Sequence, residues 1–178
     1  MTGVQTCALP ISVFLQAFAD PKGDGLVHQL YFPNRHLPVR ADLFNRVAWQ
    51  LHTRAHASVY AWMPVLSFAL DPKLPRVTRW DPETGKVGLD PDQYQRLSPF
   101  DPQVRKIIGE IYEDLARNNA IDGVLYHDDA LLSDFEDASP AALKVYAANG
   151  LPASIAALRA DPAVMQRWKI GRASCRER

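Results

Sequence analysis

A short apolar segment that ends in three ionisable residues constrains the fold of this chain more than any other feature. The segment covers residues 121–130 and reads IDGVLYHDDA, with His127, Asp128 and Asp129 near its end. A buried parallel strand has the sequence of a short apolar run. In α/β barrels the catalytic residues follow the carboxyl ends of such strands. Carboxylates are costly to bury without partners. The pattern therefore predicts a strand that carries an acidic cluster to a functional site.

Strands and helices alternate along the rest of the chain. Periodicity predicts strands at residues 13–19, 27–32 and 59–68 and a helix at residues 42–54, and residues 70–100 form a proline-rich connection. Asp101, Ser139 and Asp161 each precede a proline, which is typical of a helix N-cap. This order predicts an α/β fold: three or four parallel strands with helices in an open sheet, about half of a (β/α)8 barrel of the TIM type.

Both ends of the sequence match translated sequencing adapters. Residues 2–11 read TGVQTCALPI and residues 170–178 read IGRASCRER, which correspond to the two partners of one adapter pair. We therefore expect residues 1–12 and 169–178 to be adapter-derived tails that make few contacts, and residues 13–168 to form a partial barrel domain. The alternative is a natural tail or a signal segment.

Setting the tails aside changes what the composition implies. Cys7 and Cys175 both lie in the tails, so residues 13–168 offer no disulfide, no thiolate metal site and no cysteine nucleophile. Four of the 20 basic residues and one of the 20 acidic residues also lie there, which leaves a net charge of −3. A mildly acidic span without a basic stripe is a poor nucleic-acid binder. No apolar run reaches membrane-spanning length.

Asp128 and Asp129 cannot both act on one bond in an extended strand, because successive side chains point to opposite faces. Tyr126 and Asp128 would share one side of the strand, and His127 and Asp129 the other. We assign Asp128 as the reacting carboxyl, and Asp129 as its orienting neighbour or as an acceptor for a sugar hydroxyl. The alternative is that one of the two acids caps the turn that follows.

A metal site at His127–Asp129 is a less favoured interpretation. Adjacent ligands seldom fit one ion, and no His-x-x-x-His pair or cysteine pair supports the cluster. We expect no metal there. Asp122 lies six residues before Asp128, roughly 20 Å away along a strand, and is predicted to be a helix-to-strand junction residue.

A second polar cluster follows another predicted strand. Asn34, Arg35 and His36 offer donors and acceptors that suit hydroxyl and N-acetyl groups. An arginine and a histidine that tie down a loop are an equal alternative. The cluster is therefore a candidate for substrate binding without a decisive pattern.

Aromatic residues provide further candidates for contacts with a sugar. Trp62 on the middle strand could line a cleft or belong to the core. Trp80 and Tyr94, in the long connection, could form platforms under sugar rings or could pin the loop. Aromatic faces suit the platform role because the C–H groups of a pyranose pack against them.

Four strings of the sequence carry a resemblance to a known family. They read FLQAFADPKGDGLVHQLYFPNRHLPVRADLFNRVAWQL, VYAWMPVLSF, RLSPFDP and DGVLYHDDALLSDFEDASP. They resemble the C-terminal domain of the poly-β-1,6-N-acetyl-D-glucosamine N-deacetylase family, over essentially all of residues 13–168. The resemblance implies a (β/α)-barrel glycoside hydrolase that binds partially deacetylated polymer along an acidic groove and cleaves it. It also implies that the aspartate in the HDD motif, here Asp128, is catalytic.

The resemblance also implies the surroundings of this domain. The family adds an N-terminal metal-dependent deacetylase domain, so we expect the divalent metal only there and no cofactor in these residues. It implies a periplasmic, outer-membrane-associated biofilm protein, with its signal peptide outside this sequence and an outer-membrane export porin as partner. The alternatives are a non-catalytic polysaccharide-binding module that assists the deacetylase domain, and a metal-dependent deacetylase site at His127–Asp129.

Overall fold

A parallel sheet organises the fold. Two long helices pack on one face of this sheet, and its other face is open. The computed structural model describes residues 11–173. Its elements are β1 (Ser12–Gln16), β2 (Phe18–Ala19), β3 (Gln29–Leu30), α1 (Phe44–Ala55), β4 (Ser58–Met63), β5 (Arg79–Trp80), β6 (Val87–Gly88), α2 (Pro102–Asn118), β7 (Gly123–Tyr126), a 3-10 turn (Asp128–Ala130), α3 (Pro140–Ala148), α4 (Ile155–Ala160) and α5 (Pro162–Ala173).

The three longest strands form one parallel sheet in the order β1-β4-β7. Phe14 pairs with Tyr60, which pairs in turn with Gly123. α1 connects the first pair of strands and α2 the second, because parallel neighbours need a crossover connection. The predicted α/β class with a parallel sheet is thus confirmed. The sheet has three strands, which agrees with the three or four that the sequence predicts.

Helices cover one face of this sheet. Alternate residues of β4 are buried, as expected where one face of a strand packs on a core. Val104, Ile111 and Leu115 of α2 follow a helical period and are fully buried. The core between the sheet and the helices includes Phe44, Ala48, Val59, Ala61, Met63, Val104, Ile111 and Leu115.

The other face of the sheet is exposed to solvent. Phe14 is 57% exposed and Leu125 is 39% exposed. The ring of Phe14 lies 5.7 Å from the ring of Tyr60 on the neighbouring strand. Because paired residues of parallel strands point to the same side, these side chains form one apolar surface.

The first predicted strand, residues 13–19, is too long. The chain changes partners at Ala17, whose amide donates to the carbonyl of Trp62 at 3.2 Å and whose carbonyl accepts the amide of Tyr31 at 2.9 Å. After this residue, β2 pairs with β3 in an antiparallel ladder. Only Gln29–Leu30 of the predicted strand at residues 27–32 is regular.

The strands predicted at residues 59–68 and 121–130 also end early. β4 ends at Met63 because Pro64 has no amide to continue the ladder. β7 ends at Tyr126, and the backbone then turns through Asp128–Ala130. The alternation that placed Tyr126 and Asp128 on one side therefore does not continue past the strand.

The predicted helix starts are confirmed. The side chains of Asp101, Ser139 and Asp161 each accept amide hydrogen bonds from the first turn of a helix that begins with proline. The helix predicted at residues 42–54 is α1, shifted by two residues at its start. The long connection contains one short hairpin, β5 with β6.

The expected tails lie mostly outside the described residues. Residues 1–10 and 174–178 are not among them, and residues 170–173 continue α5. The amide of Ser58 donates to the carbonyl of Ile11 at 2.8 Å. In the part of the chain that is described, no helix has the length and apolar character needed to cross a membrane.

We expect Asp122→Ala to act on stability. The Asp122 carboxylate accepts the Val59 amide at 2.6 Å and lies 3.6 Å from His52, which confirms its junction position. Removing the acceptor should lower the free energy of unfolding by about 1–2 kcal/mol, measured as a lower Tm. Asp122→Asn keeps an oxygen and should cost less. Equal Tm values for the unsubstituted protein, Asp122→Ala and Asp122→Asn would contradict a stabilising role for Asp122.

We expect residues 13–168 alone to self-associate. The exposed face with Phe14 and Leu125 and the two open strand edges favour association between copies. Sedimentation velocity should show oligomers, and the thermal transition should lack cooperativity. A monomer that melts cooperatively would show that the open face is tolerated.

Candidate active site

The carboxyl ends of the parallel strands bring four aromatic rings into a row. The rings of Phe18 and Trp62 lie 5.9 Å apart, edge to face. Trp62 stacks on His127 with ring centroids 5.8 Å apart, and Tyr94 makes an edge-to-face contact with His127 at 5.4 Å. These residues come from β2, β4, the long connection and the end of β7. We call Phe18, Trp62, His127 and Tyr94 the aromatic row.

Asp128 projects from this rim into solvent. Its side chain is 68% exposed, and one carboxylate oxygen lies 2.8 Å from Nδ1 of His127. It is the first residue of the 3-10 turn Asp128–Ala130, which we call the acid turn. The carboxyl is therefore accessible to a ligand that lies along the aromatic row.

Asp129 points the opposite way and is 1% exposed. Its carboxylate accepts the amides of Val65 at 2.9 Å and of Leu66 and Ser67 at 2.7 Å. These amides follow Pro64, where the ladder of β4 stops. The contacts give Asp129 a backbone-holding role, while its assignment to a sugar hydroxyl or to orienting Asp128 stays a prediction.

Tyr112 of α2 binds the backbone where β4 stops, next to the amides that Asp129 accepts. Its hydroxyl donates to the carbonyl of Pro64 at 2.7 Å. Burial raises the pKa of the Tyr112 phenol, with smaller contributions from Tyr126 and Asp129. The hydroxyl therefore stays protonated and available as a donor.

A recess of about 170 Å³ opens beside the aromatic row. Gly25, with φ of +75°, forms part of its wall, and a Cβ at this position would lie 2.8 Å from the Tyr94 ring. Glycine thus permits both the turn and the close approach of Tyr94. The recess is lined by Phe18, Asp20, Gly25, Leu26, Val27, Pro64, Ser67, Tyr94, His127 and Asp129.

The loop beside this recess contains a group that the sequence analysis did not identify. Potential ligand atoms of Asp20, Asp24 and His28 lie within 4.8 Å of one another. The spacing Asp-x-x-x-Asp-x-x-x-His is the signal that could have found it. Asp20 accepts four successive backbone amides, from Lys22 to Gly25, at 2.8–3.3 Å. Its carboxylate is thus already engaged in holding the loop.

The cluster Asn34, Arg35 and His36 contacts α2. Arg35 Nε donates to Asp114 at 3.0 Å, and His36 lies 2.7 Å from Glu110. The hydrogen bond from Arg35 lowers the pKa of the Asp114 carboxyl. Asn34 accepts the amides of the next residues of its loop. These contacts match the alternative of a tied-down loop, and a substrate role for the three residues remains a prediction.

Trp80 and Tyr126 also have partners away from the aromatic row. The guanidinium of Arg159 lies 4.6 Å from the Trp80 ring, so Trp80 helps to pin the connection. The ring of Tyr126 lies 5.8 Å from Tyr112 on the helix side of the sheet. Of the predicted aromatic contacts, the structure brings Trp62 and Tyr94 to His127, the neighbour of Asp128, and places Trp80 elsewhere.

His127, Asp128 and Asp129 do not converge on one point. Asp129 faces the backbone amides after β4, whereas Asp128 faces solvent. Among the described residues, the grouping with metal-ligand spacing is Asp20, Asp24 and His28. The three side chains of the HDD motif are therefore not arranged around one shared ligand.

Comparison with protein families gives a match along most of the chain. The profile described as hypothetical glycosyl hydrolase family 13 matches residues 5–175. Two curated relatives, from Escherichia coli K12 and Escherichia coli O157:H7, are both named poly-beta-1,6-N-acetyl-D-glucosamine N-deacetylase. Each is 54% identical over 157 residues, which is 88% of this chain and 23% of the relative. The chain thus spans about a quarter of the length of these relatives.

A solved structure is also similar. The glycoside hydrolase domain of PgaB (BpsB) from Bordetella bronchiseptica is 56% identical, with a TM-score of 0.77. The similarity covers 90% of this chain and 46% of that one. The resemblance found in the sequence is therefore confirmed.

We expect the two neighbouring aspartates to differ in their effect on stability. Asp129→Ala leaves three amides at the turn without an acceptor and should lower the free energy of unfolding by roughly 3–5 kcal/mol. Asp128→Ala removes an exposed side chain and should change it by less than about 0.5 kcal/mol. Thermal melting of the full-length parent protein compares them. Similar Tm values for both variants would contradict the assignment of Asp129.

Proposed function

This chain belongs to hypothetical glycosyl hydrolase family 13, and from that premise we propose that it is a glycosidase domain. Its substrate would be partially deacetylated poly-β-1,6-N-acetylglucosamine, the polymer in the names of its relatives. One observation carries the proposal: Asp128 presents an exposed carboxyl at the rim where the parallel strands end, next to the aromatic row. Glycoside hydrolysis needs a carboxyl that can reach the glycosidic oxygen.

Asp128 would act as the general acid in this reaction. A protonated carboxyl donates its proton to the leaving oxygen as the glycosidic bond breaks. Trp62 and Tyr94 would pack against the C–H faces of the sugar rings. His127, which contacts both of these aromatic rings, would keep them in position. The second reacting group is a carboxylate or the acetamido group of the substrate itself.

We propose that the three strands are part of a (β/α)8 barrel. Two observations support this: the exposed apolar face of the sheet, and a solved relative of which the chain covers 46%. In a closed barrel, Phe14 and Leu125 would face the interior, where side chains from other strands fill the space. The chain alone would then lack walls of the substrate cleft and would be inactive.

The full-length parent would be a deacetylase with two activities in biofilm polysaccharide processing. Deacetylation and its divalent metal would belong to a separate N-terminal domain, with no cofactor in the residues of this chain. We propose a periplasmic, outer-membrane-associated location and an export porin as partner. The name of the curated relatives supports the deacetylase part of this proposal.

A binding module that holds polymer for the deacetylase domain is the alternative function. Aromatic rings and exposed acids serve binding and cleavage alike, so polymer affinity does not separate the two. Cleavage of the chain does, because a binding module leaves the length of the polymer unchanged.

Asp128→Asn in the full-length parent should slow chain cleavage strongly and preserve polymer binding. The amide keeps the shape of the carboxyl but cannot donate an acidic proton, so cleavage should fall by about 10²- to 10⁴-fold. Product sizes give the cleavage rate, and calorimetry gives the affinity.

Asp122→Asn is the matched control, because it changes the same functional group at the other end of β7. It should cleave at the normal rate below its Tm. Full cleavage by Asp128→Asn would remove Asp128 from the reaction. Inactivation by chelators would instead indicate the metal-dependent alternative.

A further inference from the structure

A buried arginine links the segment after the acid turn to the long connection. Arg96 is 3% exposed. Its Nη1 donates to the carbonyl of Leu131, and its Nη2 donates to the Glu136 carboxylate at 2.5 Å. Its Nε has no hydrogen-bond partner among the described residues. The two terminal nitrogens of one guanidinium thus bind Leu131 and Glu136, and the Trp80 amide adds a hydrogen bond to the Phe135 carbonyl at 2.9 Å.

Glu136 closes the same segment from its other end. Its second carboxylate oxygen accepts the amide of Ser133 at 3.0 Å, and its own amide donates to the Ser133 carbonyl at 3.1 Å. The amide of Leu131 donates back to the carbonyl of Asp128 at 3.1 Å. Residues 131–136 thus form a loop that is closed across Arg96 and starts at the acid turn.

The backbone next to Arg96 is tied to the acid turn by a second route. The amide of Leu97 donates to the carbonyl of Leu66 at 2.9 Å, and the amide of Leu66 donates to Asp129 at 2.7 Å. The acid turn is therefore held on one side by the Asp129 carboxylate and on the other by the Arg96 guanidinium. The two anchors are joined through Leu66, which binds Asp129 by its amide and Leu97 by its carbonyl.

We propose that Arg96 is a positioning residue that places Asp128 for proton transfer, an inference that rests on the proposed function. The exposed Asp128 carboxylate contacts His127, its neighbour in the chain, at 2.8 Å. Its location is therefore set by the backbone of the acid turn. A catalytic group that shifts by about 1 Å can lose roughly 10²-fold in rate. Loss of the Arg96 anchor at Leu131 permits such a shift.

Arg96→Lys tests the proposal in the full-length parent. Lysine keeps the charge, but one ammonium cannot occupy both positions of the planar guanidinium. We expect kcat for polymer cleavage to fall about tenfold to a hundredfold, with KM within about twofold of normal. Arg105→Lys is the matched control, because exposed Arg105 also donates to a carbonyl, that of Pro99, at 2.9 Å. It should leave kcat unchanged.

Two further measurements separate positioning from a general loss of structure. Hydrogen exchange at the amides of Leu131 and Ser133 should accelerate in Arg96→Lys, whereas exchange at Val104 in α2 should not. In an Asp128→Asn background, Arg96→Lys should cause no further loss of rate, because it acts through Asp128.

The outcomes are distinct. A lower Tm with normal kcat would overturn the proposal, as would normal exchange at Leu131 or an additive loss in the double variant. If Asp128→Asn cleaves at the full rate, the proposed function fails and the inference about catalysis falls with it. If Arg96→Lys yields no folded protein, Glu136→Gln keeps the side-chain shape and tests the same link, with the same expected loss of kcat.

Discussion

A buried carboxylate holds the candidate site together. Asp129 accepts the amides of three successive residues directly after β4 stops at Pro64. These amides cannot continue the sheet, and buried amides without an acceptor are costly. Because Asp129 belongs to the acid turn after β7, the same hydrogen bonds fix the ends of two strands relative to each other. The position of Asp128 depends on this arrangement.

Two adjacent aspartates, Asp128 and Asp129, need opposite environments. A carboxyl that transfers protons to a ligand must be accessible, whereas one that organises backbone must be buried and fully hydrogen-bonded. The turn after β7 allows both, since it directs Asp128 to solvent and Asp129 to the amides after Pro64. The aromatic row then supplies a surface that can bind sugar rings beside the exposed acid. Arg96 and Glu136 hold the far end of the turn.

Local signals predicted the elements better than their ends. The Asp101, Ser139 and Asp161 caps were predicted because cap and proline are neighbours in sequence. Strand ends were predicted too far along, since an apolar run continues through Pro64 and Tyr126 whether or not the ladder does. The opposite orientation of Asp128 and Asp129 was predicted from strand alternation, whereas in the structure it arises from the turn that follows β7.

The sequence by itself determined the α/β order, the position of the acidic cluster after a strand and the aromatic residues that could accompany it, because periodicity and caps act over a few residues. Only the tertiary structure decided which aspartate faces solvent, and that Arg35, His36 and Trp80 contact helices instead of the aromatic row. It also decided that Arg96 pairs with Glu136, forty positions away. Such choices depend on which buried groups meet across the fold, and each must find a partner there.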